Sequence, residues 1–238
     1  MYLSRVELDE TRRQTMRALA VPQKLHGAVE AAFPGERRRR LWRLDRLRGK
    51  LYLLLLSEDQ PELSVIAEQF GPVSGTKPAE TRNYDVVLQR IVPGSVWQFR
   101  LTANPTKSCA AKGQPGTRGK VLAHCTVEYQ KQWLLDRAEK HGFRLLPDDF
   151  TVTASRWIHF AKGNAQGRPV SLLAVTYEGV LQVTNAERFT ELLTHGMGRG
   201  KAYGMGLMTI IRRGGWQCRK CPVSFARNCK RCRKSRIG

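Results

Sequence analysis

Residues 41–56 read LWRLDRLRGKLYLLLL, and the fold prediction starts from this stretch. Its two runs, 41–46 and 51–56, have the character of extended strands, and Gly49 lies in the turn between them. Two such runs around a glycine-containing turn predict a β-hairpin. A hairpin with one strand and one helix on either side of it would form the centre of a β-α-β-β-α-β unit.

The flanking sequence supplies those elements. Residues 2–8 (YLSRVEL) resemble a strand, and Pro22 opens a helical stretch that Pro34-Gly35 closes. After the hairpin, residues 62–69 predict a short helix and residues 85–91 (DVVLQRI) a last strand. The first part of the chain therefore predicts the ferredoxin-like order.

The same order starts again after Pro93-Gly94. The elements predicted in this part of the chain are a strand at 95–103, a helix at 126–141, extended runs at 150–160 and 170–183, a helix at 185–194 and a strand at 206–212. The sequence thus predicts an α+β protein with two tandem ferredoxin-like (RRM-like) domains. We place the domains at 1–92 and 93–213, followed by a basic, cysteine-containing tail at 214–238.

The charge of the chain points to a polyanionic partner. Its 238 residues include 41 Lys and Arg against 20 Asp and Glu, a formal net charge of +21. Nucleic acid is the usual partner of so basic a protein. The apolar run at 51–56 is far shorter than the ~20 residues of a membrane-spanning helix, and the N-terminal residues do not form a secretory signal. We expect a cytoplasmic protein without a membrane partner.

The tail carries eight Lys and Arg, no acid, and two Cys-x-x-Cys pairs formed by Cys218, Cys221, Cys229 and Cys232. Four thiolates at such spacings could bind a structural zinc ion. However, the seven residues between the pairs are fewer than the roughly 15–20 of common zinc ribbons. An extension without metal and a zinc-dependent DNA-binding module are the other interpretations of the tail.

The stretch from Gly196 to Leu207 contains five glycines. Glycines let the backbone approach a ligand closely, so Gly198, Arg199 and Lys201 are candidates for contact with a phosphate. The stretch lies between a predicted helix and the last strand, which is not the setting of a Walker loop or of a dinucleotide fingerprint. A connector that only turns the chain is an equally good interpretation.

Candidate residues for acid–base chemistry lie on the first predicted helix. His26 lies near its N-terminus, and Lys24 is close in sequence. A histidine that titrates near neutral pH can take a proton from a ribose hydroxyl or return one to a leaving oxygen. A single helical histidine is more often a half-buried or solvated side chain, so this pattern alone does not assign a function.

Further cations are spaced along a predicted hairpin at 155–170 and a predicted loop at 104–120. The second-domain hairpin carries Arg156, Lys162 and Arg168, and the stretch 104–120 includes Lys107 and Lys112. Such cations can follow an RNA backbone. A solvated, charged surface would have the same composition. The run of arginines at 37–40 has the same two interpretations, because either contact with phosphates or an exposed edge kept soluble by arginine would explain it.

Several segments together resemble one protein family. They are the start MYLS, the helix with His26, the segment FRLTANPTK at 99–107, the run GFRLL at 142–146, the block YEGVL at 177–181 and the glycine-rich stretch at 196–207. In this order they resemble the CasE-type CRISPR-associated endoribonuclease, the crRNA-processing subunit of type I-E Cascade. The resemblance covers residues 1–213 and does not extend to the tail.

The resemblance implies two ferredoxin-like domains and cleavage of the repeat stem-loop of precursor crRNA without a metal cofactor. In the family the ribose 2′-hydroxyl attacks the adjacent phosphate, which yields a 2′,3′-cyclic phosphate and a 5′-hydroxyl, and the product stays bound. By this resemblance His26 is the catalytic histidine, and the partners are crRNA and the other Cascade subunits. Some members have a tyrosine where this chain has Gln23, so Lys24 is our candidate for stabilising the transition-state charge. A stem-loop-binding subunit without catalytic activity is the alternative function.

Overall fold

The computed structural model describes residues 1–35, 38–73, 79–109, 120–162 and 168–212. These residues form two main antiparallel sheets and one small two-stranded sheet. The four main strands of the two large sheets follow the same order, and helices cover one face of each. The predicted fold class is confirmed. The predicted boundary between residues 92 and 93 falls between the last strand of the first sheet and the first strand of the second.

The first sheet has four strands, β1 (Tyr2–Leu8), β2 (Leu41–Leu47), β3 (Lys50–Ser57) and β4 (Ala79–Asn83). Their order in the sheet is β2-β3-β1-β4. The β2–β3 hairpin has the predicted turn, in which Arg48 and Gly49 both adopt positive φ. This hairpin places the apolar side chains of the 51–56 run in the middle of the domain.

Three helices accompany this sheet, namely α1 (Arg13–Ala20), α2 (Pro22–Ala31) and α3 (Ser64–Phe70). Leu25 and Val29 of α2 are buried in the same core cluster as Leu53 and Leu55 of β3. Pro22 is the first residue of α2, where its fixed φ suits a helix and its missing N–H costs nothing. Burial of this apolar stripe fixes which face of α2 remains open.

The prediction of a strand at 85–91 is wrong. The edge strand is β4, and Asp85–Leu88 forms a short helix, α4. The Asn83 side chain accepts a hydrogen bond from the Asp85 amide, and the Met1 ammonium pairs with the Asp85 carboxylate at 3.1 Å. Strand β4 is polar because it lies at an edge, where charged side chains can remain in water.

The second sheet is built from β5 (Val96–Ala103), β8 (Phe143–Arg144), β9 (Phe150–Lys162), β10 (Arg168–Val183) and β11 (Met208–Arg212). Their order is β11-β5-β10-β9, with β8 pairing the end of β10. The helices α5 (Val127–Ala138) and α6 (Ala186–His195) cover it, and a 3-10 turn, Glu139–His141, follows α5. Two short strands, β6 (Thr106–Cys109) and β7 (Lys120–Ala123), pair with each other. Strand β6 lies within the stretch 104–120 that the sequence predicted to be a loop, and β7 begins at its last residue.

The two sheets are joined through a buried contact between β2 and the second domain. Leu41 and Leu56 of the first sheet share a buried cluster with Tyr84 and with Leu207, which precedes β11. Beside them Arg43 reaches across to β5 and β11. This contact fixes the first domain, and with it α2, against the glycine-rich stretch of the second domain.

Candidate functional site

His26 lies on α2 at the junction of the two domains. The buried residues Leu25 and Val29 anchor the helix, and His26 is half-buried on the adjacent flank. The helix contacts the 3-10 turn Lys201–Tyr203 of the glycine-rich stretch. No hydrogen bond joins the imidazole to any residue that the structure describes. The structure therefore places a histidine whose ring has no hydrogen-bond partner among the described residues on the helix that contacts this loop.

Lys24 lies on a different face of α2. It is exposed and lines a groove with Gln14, Arg17 and Gln69, between α1, α2 and α3. Successive helical residues are rotated by about 100°, so positions 24 and 26 are about 160° apart around the axis. The structure does not bring Lys24 to His26, because closeness in sequence does not place two helical residues on one face.

A cleft of about 290 Å³ separates α1 and α2 from strand β9. Pro22 and Leu25 of α2 form one wall, Arg156 of β9 forms another, and Tyr203 closes one side. The Tyr203 ring also packs on Phe160 at 4.8 Å between centroids. The structure thus brings the predicted RNA contact Arg156 and the glycine-rich stretch to the N-terminal end of the helix that carries His26.

The β9–β10 hairpin extends past this cleft. Lys162 pairs with Arg168 in the register of the two strands, so these cations flank its turn, and the Arg168 side chain is exposed. Farther down β9, Trp157 is 48% exposed and its ring stacks on His159 at 5.9 Å. Aromatic faces next to spaced cations can stack on bases while the cations hold phosphates. Trp157 and His159 are two residues apart, so the alternation of side chains along a strand places them on one face. This spacing was the sequence signal by which the pair could have been found.

The glycine-rich stretch is a tight loop that holds the domain junction together. Gly198, Gly200, Gly204 and Gly206 all have φ between +78° and +90°. The Gly206 amide donates to the Thr102 carbonyl at 2.7 Å, and its carbonyl accepts from the Met197 amide at 2.9 Å. The loop is therefore more than a flexible connector, and its glycines are required by its geometry.

Lys201 is turned partly into this loop. Its ammonium donates to the His195 carbonyl at 2.7 Å. Burial lowers the pKa of Lys201, and the nearby Arg39 lowers it further. The structure gives Lys201 a role in fixing the loop, so any contact with RNA would come from a side chain that is already anchored.

Gly204 offers a test of the loop geometry. A Cβ atom on Gly204 would lie 2.8 Å from the buried Trp42 ring, at a φ of +78°. We expect Gly204→Ala to lower the free energy of unfolding by about 3 kcal/mol, because strain and overlap add. Denaturant unfolding measures this change.

Gly27→Ala is the matched control, since Gly27 lies within α2 with open space around it. This control substitution should raise the free energy of unfolding by roughly 0.5–1 kcal/mol. Equal effects of the two changes would contradict this account of the loop.

Three of the predicted RNA contacts, Lys107, Gly198 and Arg199, lie together in a second groove. His124 and Arg137 also line this groove. Neither His124 nor Arg137 stands out in the sequence, because the chain segments that form this groove meet only in the folded protein. Lys112 lies outside the described residues, as does the side chain of Lys162.

The predicted zinc site cannot be placed in the same way. Cys218, Cys221, Cys229 and Cys232 lie outside the residues that the structure describes, so a structural zinc ion there stays a prediction. Within the described part of the chain, no group of three or more His, Cys, Asp or Glu side chains could hold a metal ion. Among those same residues, none of the helices combines the length and the apolar character needed to span a membrane.

Comparison with known proteins shows the family. Residues 1–212 match the family model described as CRISPR associated protein. The chain belongs to this family. Its similarity to the CRISPR-associated endoribonuclease Cse3 of Thermus thermophilus is 32% identity over 227 residues, covering 88% of this chain and 99% of that protein. The CasE-type resemblance is therefore confirmed.

Solved structures of family members share the fold. A structure of Cse3 bound to a 19-nucleotide RNA matches with a TM-score of 0.73 at 30% identity, over 89% of this chain and 100% of the other. Thermus thermophilus Cse3 bound to an RNA that represents a pre-cleavage complex matches with a TM-score of 0.70 at 29% identity, over 88% and 98%. This CRISPR-associated chain and the Cse3 structures thus have the same two-domain architecture.

Proposed function

We propose that this chain is a metal-independent endoribonuclease that cleaves the repeat stem-loop of precursor crRNA and then stays bound as a subunit of the type I-E Cascade complex. The observation that carries the proposal is the position of His26. His26 is half-buried on α2, and this helix contacts the 3-10 turn Lys201–Tyr203 of the glycine-rich loop from the second domain. The similarity to an endoribonuclease over nearly the whole of both chains supports the same reaction class.

The chemistry needs no metal because the RNA supplies its own nucleophile. The ribose 2′-oxygen forms a bond to the adjacent phosphorus, and the bond from phosphorus to the 5′-oxygen of the next nucleotide breaks. One proton leaves the 2′-hydroxyl and one is delivered to the 5′-oxygen. Because imidazole groups exchange protons readily under neutral conditions, His26 performs one of these two transfers. The products are a 2′,3′-cyclic phosphate and a 5′-hydroxyl.

The cations around the cleft hold the RNA in place for this step. Arg156 lines the cleft beside the first turn of α2, where its guanidinium can pair with a phosphate through two hydrogen bonds. Lys162 and Arg168 flank the turn of the same hairpin. Arg156, Lys162 and Arg168 therefore belong to one hairpin whose strand β9 lines the cleft beside α2, which fits a stem held by the hairpin and cut beside this helix.

Cleavage in the presence of a chelator tests this proposal. We expect the full chain to cut its repeat stem-loop once in excess EDTA, with no gain in rate when Mg²⁺ is added. Analysis of the end groups should find the cyclic phosphate and the 5′-hydroxyl. A dependence on divalent ions, or a product with a 5′-phosphate, would contradict the proposed mechanism. RNA that is bound tightly but left whole would instead support the alternative function, a stem-loop-binding subunit without catalytic activity. The observation in favour of this alternative is Gln23, which stands where some family members have a tyrosine.

A further inference from the structure

A second cationic groove is lined by a different part of the glycine-rich loop from the part that lines the cleft. It has a volume of about 480 Å³ and takes its walls from β5–β6, α5 and the loop. Each of these walls supplies one cation: Lys107 from β6, Arg137 from α5 and Arg199 from the loop. Such convergence of three like charges is costly unless an anion neutralises it.

The charges of this groove are not balanced by the protein. None of the three cations forms an ion pair with a carboxylate in the described part of the chain. Asp136 is the acid that lines the groove, and its single negative charge offsets one of the three positive charges. The groove therefore carries excess positive charge next to the proposed cleavage site.

The inner wall of the groove is rigid and polar. The Arg137 guanidinium lies over the Trp133 ring at 4.4 Å and donates to the Trp133 carbonyl. Asn104 is 4% exposed, and its backbone pairs with that of Arg199. Its Oδ1 atom has no hydrogen-bond partner among the described residues. A buried polar atom without a partner is costly and marks a place where a polar ligand would be stabilised.

The titration of His124 supports the same conclusion. His124 lines the groove, and burial lowers its pKa, with Lys107 and Arg137 lowering it further and Asp136 opposing them. Burial also lowers the pKa of Arg137. A bound anion would favour the protonated forms of both groups.

We infer that this groove, walled by Lys107, Arg137 and Arg199, binds a phosphodiester of the RNA strand that extends from the stem beyond the cleavage position. The inference rests on the proposed function. Gly198 and Arg199 face the groove, while Lys201–Tyr203 of the same loop contact α2, which carries His26. An RNA strand that passes His26 and crosses the loop therefore reaches this groove. The site is a holding position and takes no part in the proton transfers.

Binding of two RNAs that differ only in the single-stranded extension tests this inference. Both carry a 2′-deoxy nucleotide at the cleavage position, so affinity is measured without cutting. We expect Lys107→Gln and Arg199→Gln each to weaken binding of the extended RNA by roughly five- to tenfold and to reduce the slope of log K against log salt by about 0.7. Binding of the trimmed stem-loop should weaken much less than binding of the extended RNA, because only the extended RNA reaches the groove.

Arg90→Gln is the matched control, since this substitution removes the same charge from an exposed residue that lies outside the groove. In NMR titrations of the wild-type chain, the extended RNA should raise the His124 pKa and the trimmed RNA should not. The inference is wrong if Arg90→Gln has the same effect, if both RNAs lose affinity equally, or if the variants bind RNA normally and fail only to assemble with protein subunits. These outcomes are distinct from failure of the proposed function, which would appear as binding of cleavable RNA without a cut.

Discussion

Replacing His26 with alanine should lower the rate of RNA cleavage at saturating substrate by roughly 100- to 10,000-fold, the usual contribution of a general acid or base. Affinity for the stem-loop should stay within about threefold of the wild type. The reason is that His26 is half-buried on α2, whereas the cations proposed to hold the stem-loop lie on β9 and at the start of β10. Single-turnover cleavage and filter binding on the same RNA measure the two quantities.

Lys24→Ala is the informative companion to this variant. Lys24 faces the groove between α1, α2 and α3, away from His26, so its loss should slow cleavage by less than about tenfold. If Lys24→Ala were as slow as His26→Ala, the face that the structure gives to Lys24 would not be the face that matters in the complex with RNA. If His26→Ala still cut at the wild-type rate, the imidazole would have no part in the reaction.

The elements with strong apolar patterns could be predicted from the sequence. The hairpin around Gly49, the helix that starts at Pro22 and the paired runs that became β9 and β10 are found close to their predicted positions. Each of these elements buries a continuous face, and burial produces the spacing from which it is recognised. The pairing of β2 with β3 and of β9 with β10 follows from these elements.

The elements that bury little were not visible in this way. Strand β4 (AETRN) is an edge strand with mostly polar side chains, so the apolar residues of 85–91 were the stronger pattern, although they form α4 and the segment after it. Helix α1 buries only Thr15 and Ala18, and nothing in its sequence marks it as part of the core. Edge and surface elements are specified by their neighbours, which a sequence pattern does not contain.

The sequence predicted which types of residue form the candidate site, but it did not predict how the fold arranges them. The resemblance selected His26, and charge selected Arg156, Lys107 and Arg199, but only the fold shows that the glycine-rich loop separates the cleft with Arg156 from the groove with Lys107 and Arg199. The loop contacts both sides because its positive-φ glycines let it turn within a few residues. A linear pattern of cations cannot distinguish one binding path from two.

The junction between the domains depends on one buried arginine. Arg43 is 1% exposed, and its guanidinium pairs with the Asp45 carboxylate through bonds of 2.8 and 2.6 Å. It also donates to the carbonyls of Arg100 and Leu207 and to the Thr209 hydroxyl, which belong to the second domain. One side chain of the first sheet therefore satisfies three acceptors of the second domain.

We expect Arg43→Ala to lower the free energy of unfolding by about 3–5 kcal/mol, because it leaves the buried Asp45 carboxylate without its main partner. The double variant Arg43→Met/Asp45→Leu should recover part of this loss, since it removes both charges and keeps the volume filled. Arg46 lies on the same strand as Arg43 and forms an exposed ion pair with Glu10. Arg46→Ala breaks this pair and should lower the free energy of unfolding by less than about 1 kcal/mol. Denaturant unfolding of the three variants measures these differences. If the double variant were less stable than Arg43→Ala, the uncompensated carboxylate would not be the cause of the lost stability. The three acceptors in the second domain would then account for the stabilisation by Arg43, whose main role would be to hold α2 beside the loop.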